Sequence, residues 1–145
     1  MNKPQVRLVS AVCHGEASEP ASFADGKPWK HDAWTVTLGC DGRTLTTPWK
    51  AGTGHRSKGT RKPIAPKAED VLASLIMDSE SGNATFSEFC GNMGMDTDSR
   101  KALETYLACQ KTGEDLRRLL GVNPAALIYE RDAEQVAADL CAVRD

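Results

Sequence analysis

Three observations predict an α+β fold for this chain of 145 residues. Runs of alternating apolar and polar residues fall in the first third, and helical periodicity fills the chain from about residue 68 onward without alternating with them. Asp41-Gly42 separates two of the alternating runs and is a dipeptide suited to a two-residue hairpin turn. Farther along, apolar residues recur at steps of three and four between clear helix-start and helix-stop signals. The expected architecture is one domain over residues 1–145, with an antiparallel sheet of two or three strands packed by three or four helices. Its parts are a strand-rich segment 1–48, a basic loop 49–67 and a helical segment 68–145.

Residues 6–12 (VRLVSAV) are β-branched and partly alternating, which predicts a first strand. Residues 14–32 carry Gly15, Pro20, Gly26 and Pro28 among polar residues and read as a long loop. Residues 33–40 (AWTVTLGC) alternate, with Trp34, Val36 and Leu38 on one face and Thr35 and Thr37 on the other. Residues 43–47 (RTLTT) return as the partner strand, and Pro48 is expected to end it. A first helix is predicted over 66–77 with Pro66 near its first turn, followed by a turn at 79–83.

Thr85-Phe86-Ser87-Glu88 has the form of a capping box, opening a short helix that Gly91 to Gly94 breaks. Asp96-Thr97-Asp98-Ser99 then supplies acceptors and negative charge for the start of a long helix, closed by Gly121 as a C′ glycine. Its stripe is read as Leu103, Tyr106, Leu107, Gln110, Gly113, Leu116, Leu119 and Leu120, which makes this helix the packing centre and Leu107 a core residue. Gly113 within the stripe is read as a close helix crossing. Asn123-Pro124 starts a last helix through Tyr129, Ala133, Val136, Leu140 and Val143, with Asp132 to Gln135 as an alternative restart.

The net charge of −2 conceals two opposed blocks. Residues 49–67 hold Lys50, Arg56, Lys58, Arg61, Lys62 and Lys67 and no acid, with three glycines and two prolines. This stretch buries little and is expected to be an exposed, mobile loop. Residues 68–99 carry Glu69, Asp70, Asp78, Glu80, Glu88, Asp96 and Asp98 without one lysine or arginine. No run approaches the ~18–20 apolar residues of a membrane span. The N-terminal apolar run is broken by Arg7 and Ser10, unlike a signal peptide. Five widely spaced cysteines without a C-x-x-C fit free thiols in a reducing cytoplasm.

The catalytic and ligand motifs fail on spacing. Residues 52–60 hold Gly, Lys and Thr but not G-x-x-x-x-G-K-[ST], so nucleotide hydrolysis is rejected. An EF-hand reading of Asp96 to Asp98 places Leu107 where the bidentate glutamate belongs. Cys13, His14, Cys40, His31 and His55 have no metal-ligand spacing, and G-x-S-x-G is absent. No catalytic residue, metal or cofactor is expected.

Two stretches, WTVTLGCDGRTLTTPWKAGTGH and PKAEDVLASLIMDSESGNATFSEFCGNMGMDTDSRKALETYLACQ, resemble a family of small proteins from tailed phages and prophages. In that family a "VTL…GR…T.P…G" hairpin precedes "P…DVL..L..D" and then "F..FC…G.DTDSRKA…Y..C". The match covers about residues 34–121, and DTDSRKA with Tyr106 and Cys109 is its most specific part. The basic loop and the final helix go beyond the common pattern. The resemblance implies a phage accessory protein acting in the host bacterial cytoplasm, and it transfers no catalytic residue.

Three function classes follow. The first is a non-enzymatic inhibitor of a host protein or ribonucleoprotein complex, an anti-CRISPR role being its sharpest form. Its acidic face, Glu69, Asp70, Asp78 and Glu80, would imitate nucleic acid. The second is a nucleic-acid-binding module using Lys50, Arg56, Lys58, Arg61 and Lys62, with Trp49 as a stacking platform. The third, an enzyme of unknown chemistry, has no constellation behind it. Adjacent blocks of opposite sign largely cancel beyond a Debye length of ~8 Å, which ranks a protein partner above free nucleic acid.

Overall fold

In the computed structural model, residues 5–19, 26–127 and 132–141 are described. The chain is α+β: β1 (Val6–Glu19), β2 (Trp29–Cys40) and β3 (Arg43–Gly52) precede α1 (Ala68–Asn83), α2 (Phe86–Met93), α3 (Arg100–Leu120), α4 (Pro124–Leu127) and α5 (Ala133–Cys141). The three strands form one antiparallel sheet in the order β1-β2-β3. Asp41 and Gly42 turn the β2–β3 hairpin with φ of 50° and 81°, the positive-φ pair that the Asp-Gly dipeptide supplies.

The sheet is longer than the alternation predicts. β1 runs to Glu19 and β2 begins at Trp29, so most of the expected 14–32 loop is strand. Register shifts between Leu8 and Ser10 and between Cys13 and Gly15 explain why. Each bulge adds one residue and reverses the phase, so a two-residue period cannot be followed through it. Gly15, at φ 103°, takes a backbone conformation that side chains rarely adopt. β3 also continues past Pro48, which lies opposite Thr35, and ends at Gly52. β3 is an edge strand, where a residue without an N–H is tolerated.

The core lies between this sheet and the helices. Trp34, Val36 and Leu38 face it from β2, Val71, Leu72, Leu75 and Ile76 from α1, and Leu116, Leu119 and Leu120 from α3. The central helix is α1, which packs against both α3 and α5, rather than α3 as the apolar stripe implied. α1 begins at Ala68 with Lys67 as N-cap, so Pro66 precedes the helix instead of occupying its first turn. It also continues through 79–83, read from sequence as a turn. Ser79 and Gly82 are buried there because they are small. A Cβ on Gly82 would lie 2.7 Å from the backbone carbon of Cys109, so the two helices meet where the side chain is missing.

The long helix has the predicted ends. Ser99 accepts from the Ala102 N–H, and Gly121 closes it in the left-handed conformation. The Thr85–Glu88 capping box is complete in both directions. The buried face of α3 is nevertheless rotated from the expected stripe. Ala102, Tyr106 and Cys109 pack with Phe89 and Cys90 of α2 in a second apolar cluster, and Leu103 and Leu107 are exposed. The short helix α2 covers only the side carrying Ala102 and Cys109, so the larger leucines beside them are left outside. Asn123 caps α4, and the Asp132 carboxylate accepts from the Gln135 N–H to restart the chain as α5. Tyr129 and Val143 lie outside the described residues.

Candidate functional site

The basic loop has a folded framework. β2 residues in phase with Trp34 point to the core, and Asp32 is one of them, only 1% exposed. A carboxylate cannot be buried there unpaired, and Arg56 meets it with two hydrogen bonds. Its Nε donates to Oδ2 at 2.9 Å and its Nη2 to Oδ1 at 2.6 Å. Glu16, opposite Asp32 in the β1–β2 register, lies 3.5 Å from the same Nη2. The Arg56 guanidinium holds the Asp32 carboxyl below the usual carboxylate range, against the opposing effect of burial.

Beyond Arg56 the chain doubles back. The Ser57 N–H donates to the Lys62 carbonyl at 2.9 Å and the Arg61 N–H to the Ser57 carbonyl at 2.8 Å. Arg56 and Pro63 form a β-bridge at the stem. The loop is therefore a closed turn pinned to the sheet, and its tip is exposed, as composition implied. Lys58, Arg61 and Lys62 project from it, exposed.

A cleft of about 570 Å³ opens where β3 ends against α1 and α5. Lys50 and His55 line one wall, Glu69 and Asp70 of α1 and Glu134 of α5 the other, with Trp49 and Met77 among the remaining lining. Lys50 is ion-paired with Glu19, and that ammonium holds Glu19 below the usual carboxylate range. Trp49 is partly buried against the core and its indole N–H donates to Ser74 Oγ at 3.3 Å. It is thus part of the cleft wall and not the free stacking platform expected of it.

The acidic residues of α1 do not form one face. On a helix turning ~100° per residue, Glu80 lies about 20° from Glu69, Asp70 about 100° and Asp78 about 180°. Glu69 and Asp70 reach the cleft; Asp78 and Glu80 do not line it. Burial, and secondarily the charge of Glu69, push the Cys141 thiol up to about 11. Asp78 lies toward α3, where burial raises its carboxyl and its charge raises the Cys109 thiol.

The structure thus brings together Trp49, Lys50, Glu69 and Asp70, and it separates Lys58, Arg61 and Lys62 onto the loop tip. The residues missed from sequence are Asp32, Glu16, Glu19 and Glu134. Asp32 was detectable in principle, as an acid in phase with Trp34, Val36 and Leu38 once β2 is extended. All five cysteines are free thiols, and among the described residues no three His, Cys, Asp or Glu side chains are grouped to hold a metal ion. Among the same residues no helix is long and apolar enough to cross a membrane. No family model, curated protein or solved structure matches the chain.

Proposed function

We propose that this chain is a non-enzymatic accessory protein that binds a protein surface, and that the cleft between β3 and α1 is where it does so. The observation that carries the reading is the charge of that cleft. Lys50 is already partnered by Glu19, which leaves Glu69, Asp70 and Glu134 as its outward charge beside Trp49 and Met77. Carboxylates beside apolar surface fit basic side chains with long alkyl stems, whereas a phosphate backbone is repelled there. Arg- and Lys-lined channels of nucleic-acid-handling machinery present such side chains. Together with the resemblance to small phage proteins, this favours an inhibitor of a host defence complex, an anti-CRISPR role being its most specific form.

The test is protection of a phage in bacteria carrying an active CRISPR system, with co-purification of the effector. The wild-type chain should restore plaquing. Combined Glu69→Gln, Asp70→Asn and Glu134→Gln should abolish both readouts at unchanged expression. Neutralising Asp78 and Glu80, which do not line the cleft, should leave them intact. Equal loss from both sets would remove the cleft from the reading, and absence of protection by the wild-type chain across effector types would sink the inhibitor role.

A further inference from the structure

We propose that the tip of the loop following β3 is a nucleic-acid contact in which Lys58, Arg61 and Lys62 each neutralise a backbone phosphate. The proposal is independent of the protein-partner reading, because it uses none of the cleft carboxylates. It rests on three cations that are exposed and held in place beforehand. None is ion-paired with a carboxylate among the described residues, whereas Lys50 and Arg56 of the same basic stretch are. The ion pairs therefore sort the basic residues: Lys50 and Arg56 are paired and build the loop, Lys58, Arg61 and Lys62 are presented at its tip, and Lys67 stands apart as the N-cap of α1.

The presentation is ordered from the core outward. The buried Asp32 grips Arg56, Arg56 bridges to Pro63, and the Ile64 N–H donates to the His55 carbonyl at 3.4 Å across the stem. Two further backbone bonds between Ser57, Arg61 and Lys62 close the tip. Arg61 sits at φ 57°, a left-handed conformation that glycine adopts without steric cost and that disfavours a long side chain. Gly59 stands only two residues away, so the loop spends its glycine elsewhere and keeps a cation at the strained position.

The chemistry of the tip selects the partner. Residues 49–67 contain no acid, and between Lys58 and Arg61 lie only Gly59 and Thr60. Protein interfaces draw their affinity from buried aromatic and aliphatic anchors; residues 57–62 hold none, and the nearest exposed apolar side chain, Ile64, sits at the stem. Phosphate contacts draw theirs from counterion release, for which cations of one sign suffice. A turn already closed by backbone hydrogen bonds loses less entropy on binding than a free segment would.

Fluorescence anisotropy with a duplex of about 20 base pairs and a single strand of equal length measures this directly, across salt from about 20 to 200 mM. Three phosphate contacts give log–log slopes of about −2.7 for the duplex and about −2 for the single strand. The duplex slope is a loss of about 40-fold between 50 and 200 mM salt. Lys58→Ser, Arg61→Ser and Lys62→Ser together should remove the salt-dependent binding while leaving the thermal melt in place.

Asp32→Ala gives a second, opposite-signed check. It removes a negative charge, so net charge alone predicts tighter binding; release of the loop predicts binding about three- to tenfold weaker. Should Asp32→Ala fail to fold, the triple variant, whose substituted side chains are all exposed, decides alone. Absence of binding at low salt, or a triple variant that binds like wild type, overturns the proposal. Tighter binding by folded Asp32→Ala overturns the ordering argument. Competition by polyglutamate as effective as that by DNA would assign the tip to an acidic protein instead.

Discussion

Gly82→Ala tests the helix crossing on which the helical layer depends. Gly82 is buried on α1, and an added Cβ would lie 2.7 Å from both the carbon of Cys109 and the nitrogen of Gln110. Both are backbone atoms of α3, which no side-chain rotation can move. Ordinary carbon contacts are ~3.5–4.0 Å, so α1 and α3 must part by roughly an ångström along a junction that holds both apolar clusters together. Overpacking of this kind costs about 1–3 kcal/mol, and a rigid backbone neighbour places it toward the upper end. Alanine recovers at most about 1 kcal/mol of helix propensity, less near a helix end. The net expectation is a loss of about 2 kcal/mol, or about 5–8 °C in Tm for a domain of this size. Gly113→Ala is the matched control. Its Cβ would approach Ser79 Oγ at 3.0 Å, and a hydroxyl can turn aside. That variant should lie within about 1 kcal/mol of wild type, because propensity and crowding oppose each other. Urea and thermal melts of the two variants measure the difference. A Gly82→Ala protein as stable as wild type would refute the crossing.

Leu116→Ala should cost about 2–5 kcal/mol by cavity formation, whereas Leu107→Ala, on a residue 52% exposed, should cost less than about 1 kcal/mol. Equal losses in denaturant melts would mean that the buried face of α3 is misplaced. Asp32 has a folded pKa depressed below its unfolded value, so its contribution is complete above about pH 4 and is lost as pH falls through the native value. Stability measured from pH 7 down to about 2 should therefore fall more steeply for wild type than for Asp32→Asn, and parallel curves would contradict the Arg56 pairing. Cys141, raised from 9.0 to about 11, should carry about a hundredfold less thiolate at pH 8 in the folded protein than in the unfolded chain. Mass-spectrometric alkylation rates that match in the two states would contradict the burial of this thiol.

The elements legible from sequence are those whose signals are local. The Asp41-Gly42 turn, the Thr85–Glu88 box, the Ser99 cap and Gly121 each rest on a few consecutive residues whose backbone or hydrogen-bond needs are met within one turn of chain. The α+β class follows from the order of the two periodicities. The site was legible only as two blocks of charge, because sequence shows which residues are charged and not which are already partnered. Lys50 and Glu19 are 31 positions apart, and Arg56 and Asp32 are 24 apart.

Tertiary structure decided what depended on a neighbour. The length of β1 follows from bulges that reverse its phase against β2. The buried face of α3 follows from the short reach of α2, which selects Ala102 and Cys109 over the larger Leu103 and Leu107. Ser79 and Gly82, turn-like in composition, are helical because their smallness lets α1 and α3 approach. The division of the basic stretch came from the buried Asp32, since a carboxylate out of water needs a cation and Arg56 is the residue the loop delivers to it. By itself the sequence determined the class of fold, the ends of its best-marked helices and the presence of opposed charges. Only the folded chain could say which charges hold it together and which are left facing outward, because pairing is set by proximity in space and not by position along the chain.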